Sequence, residues 1–345
     1  MKILYLCSLR FDYLQDLTYS GLVKLLGQQQ VTDYPWNPKF HLPIKDYPKN
    51  LGFTSFTFPI RPKINFKNFD LVILAAAKKD VLDVYNNILP KIAHLPVLFL
   101  DGGDLPEIGG DFYRLKVGPA YGSVLKRRSF DVILKREFIQ ALHGNDPTVF
   151  PFPFSFPYNM EVPVQPEHLK KYDVSFWGQQ EPAIRTQALT LIQGKYDCKK
   201  NGTTLNQDFS TYKRKGKFYL EEIARCKIVL NFRGGGWDTM RYWETPAVGT
   251  FMITQKPQIT IPHNFEDGKH VGCCGDTLDD LMDKIDYYLK RPEERALMAS
   301  NAKEHLKQYH LNTVRAQTLL DIVARKLAVS ASNIQTVDAG YAANL

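Results

Sequence analysis

The stretch 228-IVLNFRGGGWDTMRYWETPAVGTFMI-253 contains the elements that decide the fold. The apolar run from Ile228 to Asn231 predicts a buried strand, and three glycines follow it. A short helix is expected next, and Phe251 to Ile253 predicts another buried strand. Apolar strands separated by a helix are typical of a parallel sheet covered on both faces. This stretch therefore predicts an α/β fold.

The same alternation extends through the rest of the chain. Further strands are predicted at Ile3–Cys7, Leu71–Leu74, Val97–Leu100 and Val174–Trp177. Helices are predicted at Leu14–Leu26, Val81–Ile88, Ala183–Ile192 and Tyr219–Cys226. Three more helical stretches are expected from Leu278 to about Leu327. Residues 33–68 lack periodicity, so an irregular segment is expected there. The recurrence of β-α units in both halves predicts two domains of similar architecture.

A proline-rich segment between Phe150 and Pro166 separates the two halves. Proline fixes φ and removes a backbone donor, so this segment is expected to be a linker and not a central strand or helix. The predicted domains are residues 1–160 and 161–328. Residues 329–345 are small and polar, and we expect a flexible tail.

The net charge of +8 favours anionic ligands such as nucleotide phosphates, nucleic acid or a membrane surface. Lys and Arg outnumber Asp and Glu by 19 to 15 in residues 1–165 and by 25 to 21 in residues 166–345, so neither half is a dedicated basic domain. The basic clusters are Lys126-Arg127-Arg128, Lys135-Arg136 and Lys213-Arg214-Lys215. No apolar run approaches the roughly 20 residues of a membrane helix, and the first strand is too short for a signal peptide. A cytoplasmic protein is expected.

The glycine-rich loop and the helix after it are the first candidates for a ligand site. Ligands of parallel α/β sheets bind beyond the carboxyl ends of the strands. Glycines let the backbone approach a ligand, and the helix N-terminus, capped by Asp238 or Thr239, favours an anion. Arg241 and Glu244 are three residues apart and share a face of this helix. They suit a nucleotide diphosphate and ribose, although a surface Arg–Glu pair is the structural alternative.

Two further features make a resemblance specific. The segments Arg241–Gly249 and Ile261–Gly268 resemble the group 1 glycosyltransferases, above all the branch of spore-maturation-like proteins. The likeness covers about residues 168–325. It implies the GT-B fold, in which two Rossmann-like domains face each other across a cleft, the second domain holds a nucleotide sugar and the C-terminal helix packs back toward the first.

A local likeness to the phage DNA β-glucosyltransferase concerns the donor site. It implies that Arg241 binds the diphosphate, Glu244 the ribose, and Gly178 with Arg185 the phosphates after the first C-domain strand. In the glycine loop, Arg233 and Gly235 complete the expected donor-binding set. Many group 1 enzymes have a glutamate where this chain has Gly236, so Asp238 is the neighbouring candidate for holding the donor sugar.

Asp101 follows an N-domain strand at the position where the phage enzyme keeps its catalytic carboxylate. An inverting transfer needs a base that takes the proton of the acceptor hydroxyl, and a carboxylate flanked by glycines suits this role. Asp104 is the alternative base. Aspartates also favour Gly-Gly turns for structural reasons alone.

No Asp-x-Asp motif for a metal-bound diphosphate occurs in the chain, and its eight histidines show no metal-ligand spacing. We therefore expect a UDP-sugar donor with no required cofactor, a divalent ion being at most helpful for product release. The expected acceptor is a glycan or lipid-linked sugar, which would place the protein at the inner membrane face, with hydroxymethylated DNA as the alternative.

Two other classes fit the sequence less well. A Rossmann dehydrogenase needs Gly-x-Gly-x-x-Gly after the first strand, where this chain has Ser8-Leu9-Arg10-Phe11-Asp12. A non-catalytic nucleic-acid-binding module is suggested by the charge alone, and no recognition motif accompanies it.

Overall fold

The computed structural model describes residues 1–42, 64–196, 202–206 and 217–326. The chain divides into two compact units. The described residues of unit 1 are 1–42, 64–159 and 312–326, and those of unit 2 are 160–196, 202–206 and 217–311.

Unit 1 is built on a parallel sheet. Its strands are β1 (Ile3–Leu6), β2 (Val31–Tyr34), β3 (Leu71–Leu74), β4 (Val97–Asp101), β5 (Val132–Lys135) and β6 (Val149–Pro151), in the order β2-β1-β3-β4-β5-β6. Every residue of β1, β3 and β4 is buried, as expected for central strands covered on both faces. In the register of β4 and β5, Asp101 lies beside Lys135 at the carboxyl edge.

The helices of unit 1 are α1 (Tyr13–Leu26), α2 (Lys79–Ile92), α3 (Gly110–Arg114), α4 (Gly118–Arg127), α5 (Gln140–His143) and α11 (Asn312–Lys326). Helix α1 begins after Asp12, whose carboxylate accepts from the Gln15 amide, and ends at Gly27 with φ 88°. Such a φ favours glycine at a helix C-terminus. Helix α11 packs so closely on α1 that a Cβ on Gly21 would lie 2.3 Å from the Asn312 carbonyl oxygen.

Unit 2 contains a second parallel sheet. Its strands are β7 (Tyr172–Phe176), β8 (Cys226–Asn231), β9 (Phe251–Gln255) and β10 (Gly272–Cys274), in the order β10-β9-β8-β7. Its helices are α6 (Ala183–Ile192), α7 (Lys217–Ala224), α8 (Met240–Ala247), α9 (Leu281–Leu289) and α10 (Pro292–Tyr309). The apolar side chains of β7, β8 and β9 form its core with those of α6 and α9.

The predicted α/β class is confirmed, and each strand and helix predicted from the sequence is present within a few residues of its predicted bounds. Four strands were missed, namely β2, β5, β6 and β10. Strand β2 overlaps the segment expected to be irregular at its last two residues, and β6 ends in the proline-rich segment. Because β6 is the edge strand, Pro151 disrupts no ladder on its outer side. The predicted tail and the cluster Lys213-Arg214-Lys215 lie outside the described residues.

The contacts also place α11 in unit 1, whereas the sequence expectation had ended the second domain at residue 328. The last described helix thus packs in unit 1, which agrees with the expected return of the C-terminal helix. Among the described residues, no helix has the length and apolarity that crossing a membrane requires.

Candidate functional site

The carboxyl edge of the unit 2 sheet gathers the loops after β7 and β8. Strand β7 leads into Trp177 and Gly178, and β8 leads into the glycine loop before α8. The Thr239 hydroxyl, at the N-cap of α8, donates to Asn231 Oδ1 at 2.7 Å. Asn231 Nδ2 in turn donates to Thr254 on β9 at 3.0 Å. These bonds fix the start of α8 against the ends of two strands, and the hydroxyl of Thr239 does not cap the helix backbone.

Arg185 on α6 holds the two loops together. Its Nε donates to the Arg233 carbonyl at 2.9 Å, its Nη2 to the Phe232 carbonyl at 3.1 Å, and its Nη1 to the Gln179 carbonyl at 3.2 Å. No described carboxylate lies within 4.0 Å of this guanidinium. Burial, together with the nearby positive charge of Arg241, lowers the pKa of Arg185 to about 9. Arg185 therefore positions the loops and adds positive potential to this edge.

Arg241 on α8 is the most unusual side chain of the site. It is buried, and its guanidinium carbon lies 4.7 Å from the centre of the Phe176 ring. Its Nε and Nη1 are buried and form no hydrogen bond with any residue that the structure describes. Leaving buried donors unsatisfied is costly, and more so when they carry charge. A bound anion would satisfy these donors.

Glycine is required beside this guanidinium. A Cβ on Gly178 would lie 2.7 Å from Arg241 Nη2 and 3.4 Å from Arg185 Nη1, and a Cβ on Gly234 would lie 3.0 Å from Arg185 Nη2. The sequence prediction had placed Gly178, Arg185 and Arg241 in one site, and the structure brings these three residues together. Gly234 joins them at the start of the loop.

Glu244 lies one turn after Arg241 on α8 and is buried. Its Oε2 accepts a hydrogen bond of 2.9 Å from the hydroxyl of Tyr219 on α7. The Tyr219 ring in turn meets Trp177 edge-on at 5.7 Å. Tyr219 was missed by the sequence analysis, because nothing in its local spacing indicates that α7 packs beside α8.

Three other predicted donor residues have different environments. Asp238 is buried and accepts from the Trp243 indole N–H at 2.7 Å, so in this structure it anchors an aromatic side chain of its own helix. Arg233 is exposed and lies over the Trp237 ring at 5.1 Å. Gly235 is exposed in the same loop. That Asp238 contacts the donor sugar stays a prediction.

Asp101 was predicted to be the catalytic base, and its environment in unit 1 argues against that role. The side chain is 0 % exposed. Its Oδ2 forms a 3.0 Å ion pair with Lys135 and accepts from the Gly109 amide at 2.7 Å, while Oδ1 accepts from the Gly103 amide at 3.2 Å. A base must reach the proton that it removes. Asp101 instead joins two strand ends and the loop after β4.

Asp104, the alternative base, is 32 % exposed. Its carboxylate contacts Arg136 at 2.5 Å and Arg114 at 3.3 Å. Burial raises the pKa of Asp104, but the two guanidinium groups outweigh burial and the net pKa is lowered. Asp104 is therefore the accessible carboxylate of the pair, although a lowered pKa makes it a weaker proton acceptor.

No three His, Cys, Asp or Glu side chains of the described residues are arranged to hold a metal ion. Four histidines do approach one another in unit 2, where His305 and His310 each place Nε2 at 2.7 Å from the His263 carbonyl oxygen. The ring of His270 lies 4.4 Å from that of His305. These histidines order a loop against α10.

Residues 167–321, a little under half of the chain, match the protein family described as glycosyl transferase-like, which agrees with the predicted enzyme class. A comparison with curated proteins found no match.

Solved structures with the same fold include three bacterial proteins. Anabaena HepE, whose structure holds UDP-glucose, has 13 % sequence identity and a TM-score of 0.56 over 94 % of this chain and 100 % of HepE. Sucrose-phosphate synthase from Thermosynechococcus elongatus has 11 % identity and a TM-score of 0.55 over 96 % and 100 %. A glycosyltransferase from Rickettsia africae has 11 % identity and a TM-score of 0.54 over 95 % and 99 %. At these identities the comparison shows a shared fold, and the predicted GT-B architecture is confirmed.

Proposed function

We propose that this protein transfers a sugar from a nucleoside diphosphate sugar, with UDP-sugar as the first choice, to a hydroxyl group of a glycan or lipid-linked acceptor. The observation that carries the proposal is the buried Arg241, whose Nε and Nη1 have no partner among the described residues. HepE, which shares the fold, was crystallised with UDP and with UDP-glucose, and this favours a uridine nucleotide as the donor.

The diphosphate is assigned to Arg241. An anion here would satisfy its free N–H groups and would also relieve the repulsion between two buried guanidinium groups. Gly178 leaves room for it, because any side chain at this position would meet Arg241. Arg185 donates to three carbonyls already, so its contribution is positive potential and loop position.

Glu244 is assigned to the ribose. Its carboxylate lies one turn along the same helix, and a carboxylate can accept from both ribose hydroxyls. One of its oxygens accepts from Tyr219, which holds the carboxylate in place. A ribose hydroxyl would therefore share this carboxylate with Tyr219.

Positive charge at this site also suits the chemistry of transfer. As the bond between the sugar and the diphosphate breaks, negative charge grows on the leaving phosphate oxygens. Fixed cations and the N-terminus of α8 stabilise that charge, and we propose that no metal ion is required for it. Activity retained in EDTA is the expected observation.

We propose Asp104 as the base in place of Asp101, because only Asp104 of the two has a partly exposed side chain. In this assignment Arg136 and Arg114 orient the carboxylate, and an arriving acceptor hydroxyl competes with them for its oxygens.

The acceptor proposal follows the resemblance to the spore-maturation-like branch and the distribution of positive charge in unit 1. Of the two described basic clusters, Lys135 and Arg136 are buried and paired with Asp101 and Asp104. Only Lys126 and Arg127 are exposed. A duplex DNA acceptor needs several free phosphate contacts, so we favour a glycan or lipid-linked sugar, handled at the cytoplasmic face of the membrane.

Calorimetric titration with UDP and UDP-glucose tests the donor assignment. Wild-type protein is expected to bind both, and Arg241→Met to bind at least tenfold more weakly, because hydrogen bonds to a charged partner are lost. Arg291→Met is the matched control, since Arg291 is exposed and its guanidinium contacts Tyr287 and Glu294 of its own segment. Equal affinity of wild type and Arg241→Met would remove the basis of the proposal.

A labelled-sugar assay tests the acceptor. Label from the donor is expected in a membrane or glycan fraction, and none in hydroxymethylated DNA. Incorporation into the DNA alone would replace the glycan with the nucleic-acid acceptor and leave the donor site unchanged.

A further inference from the structure

A second cavity lies in unit 2, at the edge of the sheet opposite to Arg241. Its volume is about 360 Å³. Its wall includes Lys170 just before β7, Lys227 near the start of β8 and Phe251 at the start of β9. The wall is completed by one face of α10, by Gly249 and by the segment from Val164 to Glu167. Arg185 and Arg241, which form the arginine site, lie beyond the carboxyl ends of these strands. The length of a five-residue strand, about 15 Å, therefore separates the arginine site from this cavity.

The cavity wall carries more positive than negative charge. The cations are Lys170, Lys227, Arg295, Lys303 and Lys307, and the carboxylates are Glu167 and Glu304. Glu167 pairs with Arg295, and Glu304 pairs with Lys307 at 2.8 Å. Lys227 pairs with Asp173, outside the wall, at 2.7 Å.

Lys170 and Lys303 remain without a carboxylate within 4.0 Å in the part of the chain that the structure describes. The Lys170 ammonium donates to the Cys226 carbonyl at 3.0 Å and to the Thr250 hydroxyl at 3.3 Å, and neither of these partners is charged. Burial lowers the pKa of Lys170 to about 8. Burial and the nearby Lys307 also lower the pKa of Lys303.

Arg295 adds an unsatisfied donor to the same wall. It is 2 % exposed, and although its Nη atoms bond to carbonyls and to Glu167, its buried Nε has no hydrogen-bond partner among the described residues. A cavity with two unpaired ammonium groups and a spare guanidinium N–H favours an anion of more than one charge.

We propose that this cavity binds a small phosphorylated organic molecule, whose phosphate is held by Lys170 and Lys303. The phosphate supplies the missing negative charge and acceptor oxygens. The apolar part of the wall, formed by Val164, Pro166, Phe251 and Ala299, receives the carbon portion of the molecule. The volume exceeds what a phosphate ion alone would fill, since a liquid water molecule occupies roughly 30 Å³. This site is separate from the proposed donor site and does not depend on it.

Calorimetric titration with glycerol 3-phosphate at low ionic strength tests the proposal, with inorganic phosphate and glycerol in parallel. Glycerol 3-phosphate is expected to bind more tightly than inorganic phosphate, and glycerol not to bind. Lys303→Ala and Lys170→Met are each expected to weaken the binding about tenfold. Lys290→Ala is the matched control, because Lys290 is exposed and lies outside the cavity wall.

Two outcomes overturn the proposal. One is the absence of glycerol 3-phosphate binding at millimolar concentration, and the other is unchanged affinity in both Lys303→Ala and Lys170→Met, with circular dichroism showing that these variants are folded. The Arg241→Met variant separates the two sites. It is expected to bind glycerol 3-phosphate as wild type does, and an equal loss there would assign the binding to the arginine site.

Discussion

The Nη2 atom of Arg241 lies 2.7 Å from the point that a Cβ atom on Gly178 would occupy. Gly178, the second residue after β7, thus determines where the guanidinium of α8 can lie. Because the contacted atom is the end of a flexible side chain, a methyl group here would displace Arg241 and leave the backbone largely undisturbed.

Gly178→Ala is therefore expected to weaken UDP binding by about tenfold while changing the free energy of unfolding by less than about 1 kcal/mol. Calorimetry measures the first quantity and urea unfolding the second. Gly194→Ala is unsuitable as a control because its φ is 78°, whereas Gly122 has nothing within 4 Å of its Cβ position. Gly122→Ala should leave UDP affinity as it is. Unchanged UDP affinity in Gly178→Ala would argue against a diphosphate beside Arg241.

Glu244→Ala is expected to reduce UDP affinity by roughly tenfold to a hundredfold, because a carboxylate that accepts ribose hydroxyls contributes about 1.5–3 kcal/mol. Tyr219→Phe is the matched control. It removes the same 2.9 Å hydrogen bond from Glu244 but keeps the carboxylate. Calorimetry should show a much smaller effect for Tyr219→Phe. If both variants lose affinity equally, Glu244 acts by holding α7 and α8 together and does not contact the ribose.

Asp101→Asn is expected to destabilise the protein by about 3–5 kcal/mol, because it leaves the buried Lys135 ammonium without its carboxylate. Guanidinium unfolding of Asp101→Asn and of the double variant Asp101→Asn, Lys135→Met measures this. The double variant should be the more stable of the two, since no charge is then buried alone. An Asp101→Asn protein as stable as wild type but inactive would restore Asp101 as the base.

Asp104→Asn is expected to lower turnover by about 100-fold with donor affinity unchanged, because it removes the proposed proton acceptor and preserves the shape. Asp111→Asn serves as the control. It breaks the 2.7 Å pair with Arg114, which also contacts Asp104, without removing the Asp104 carboxylate. Steady-state kinetics should show a small loss for Asp111→Asn. A similar loss in both variants would assign the effect to the ion-pair network.

The stability of the protein should respond to pH through Asp16 on α1. Burial raises the pKa of Asp16 from 3.8 to about 6, and Lys39 at 3.5 Å only partly opposes this. Between these two values the folded state binds more protons than the unfolded state, so the contribution of Asp16 to stability falls as pH rises. Above pH 6 the cost reaches at most about 3 kcal/mol.

Asp16→Asn is accordingly expected to gain stability relative to wild type between pH 4 and pH 7, the pH range set by the shifted pKa. Urea unfolding of both proteins at several pH values checks this. A difference between the two proteins that does not change with pH would show that Asp16 keeps its ordinary pKa.

The amino-acid sequence by itself determined the class of fold and the segments of the candidate site. Apolar runs such as Leu71–Leu74 predict buried strands, and Gly27 predicts the end of α1, because both signals act within a few residues of chain. The glycine loop and the Arg241–Glu244 spacing indicated a nucleotide site for the same reason. Strand β2 escaped detection because its four residues, with Asp33 among them, show no extended apolar run.

Tertiary structure alone decided which charged groups are free to act. Asp101 and Asp238 look equally available in the sequence, yet the register of β4 with β5 places Lys135 beside Asp101, and the fold of α8 places the Trp243 indole on Asp238. Within the described ranges, Arg241 has neither kind of partner on its Nε and Nη1. The availability of a charge depends on its counter-charge and on its burial. Both are set by segments that are distant in sequence and meet only when the chain packs.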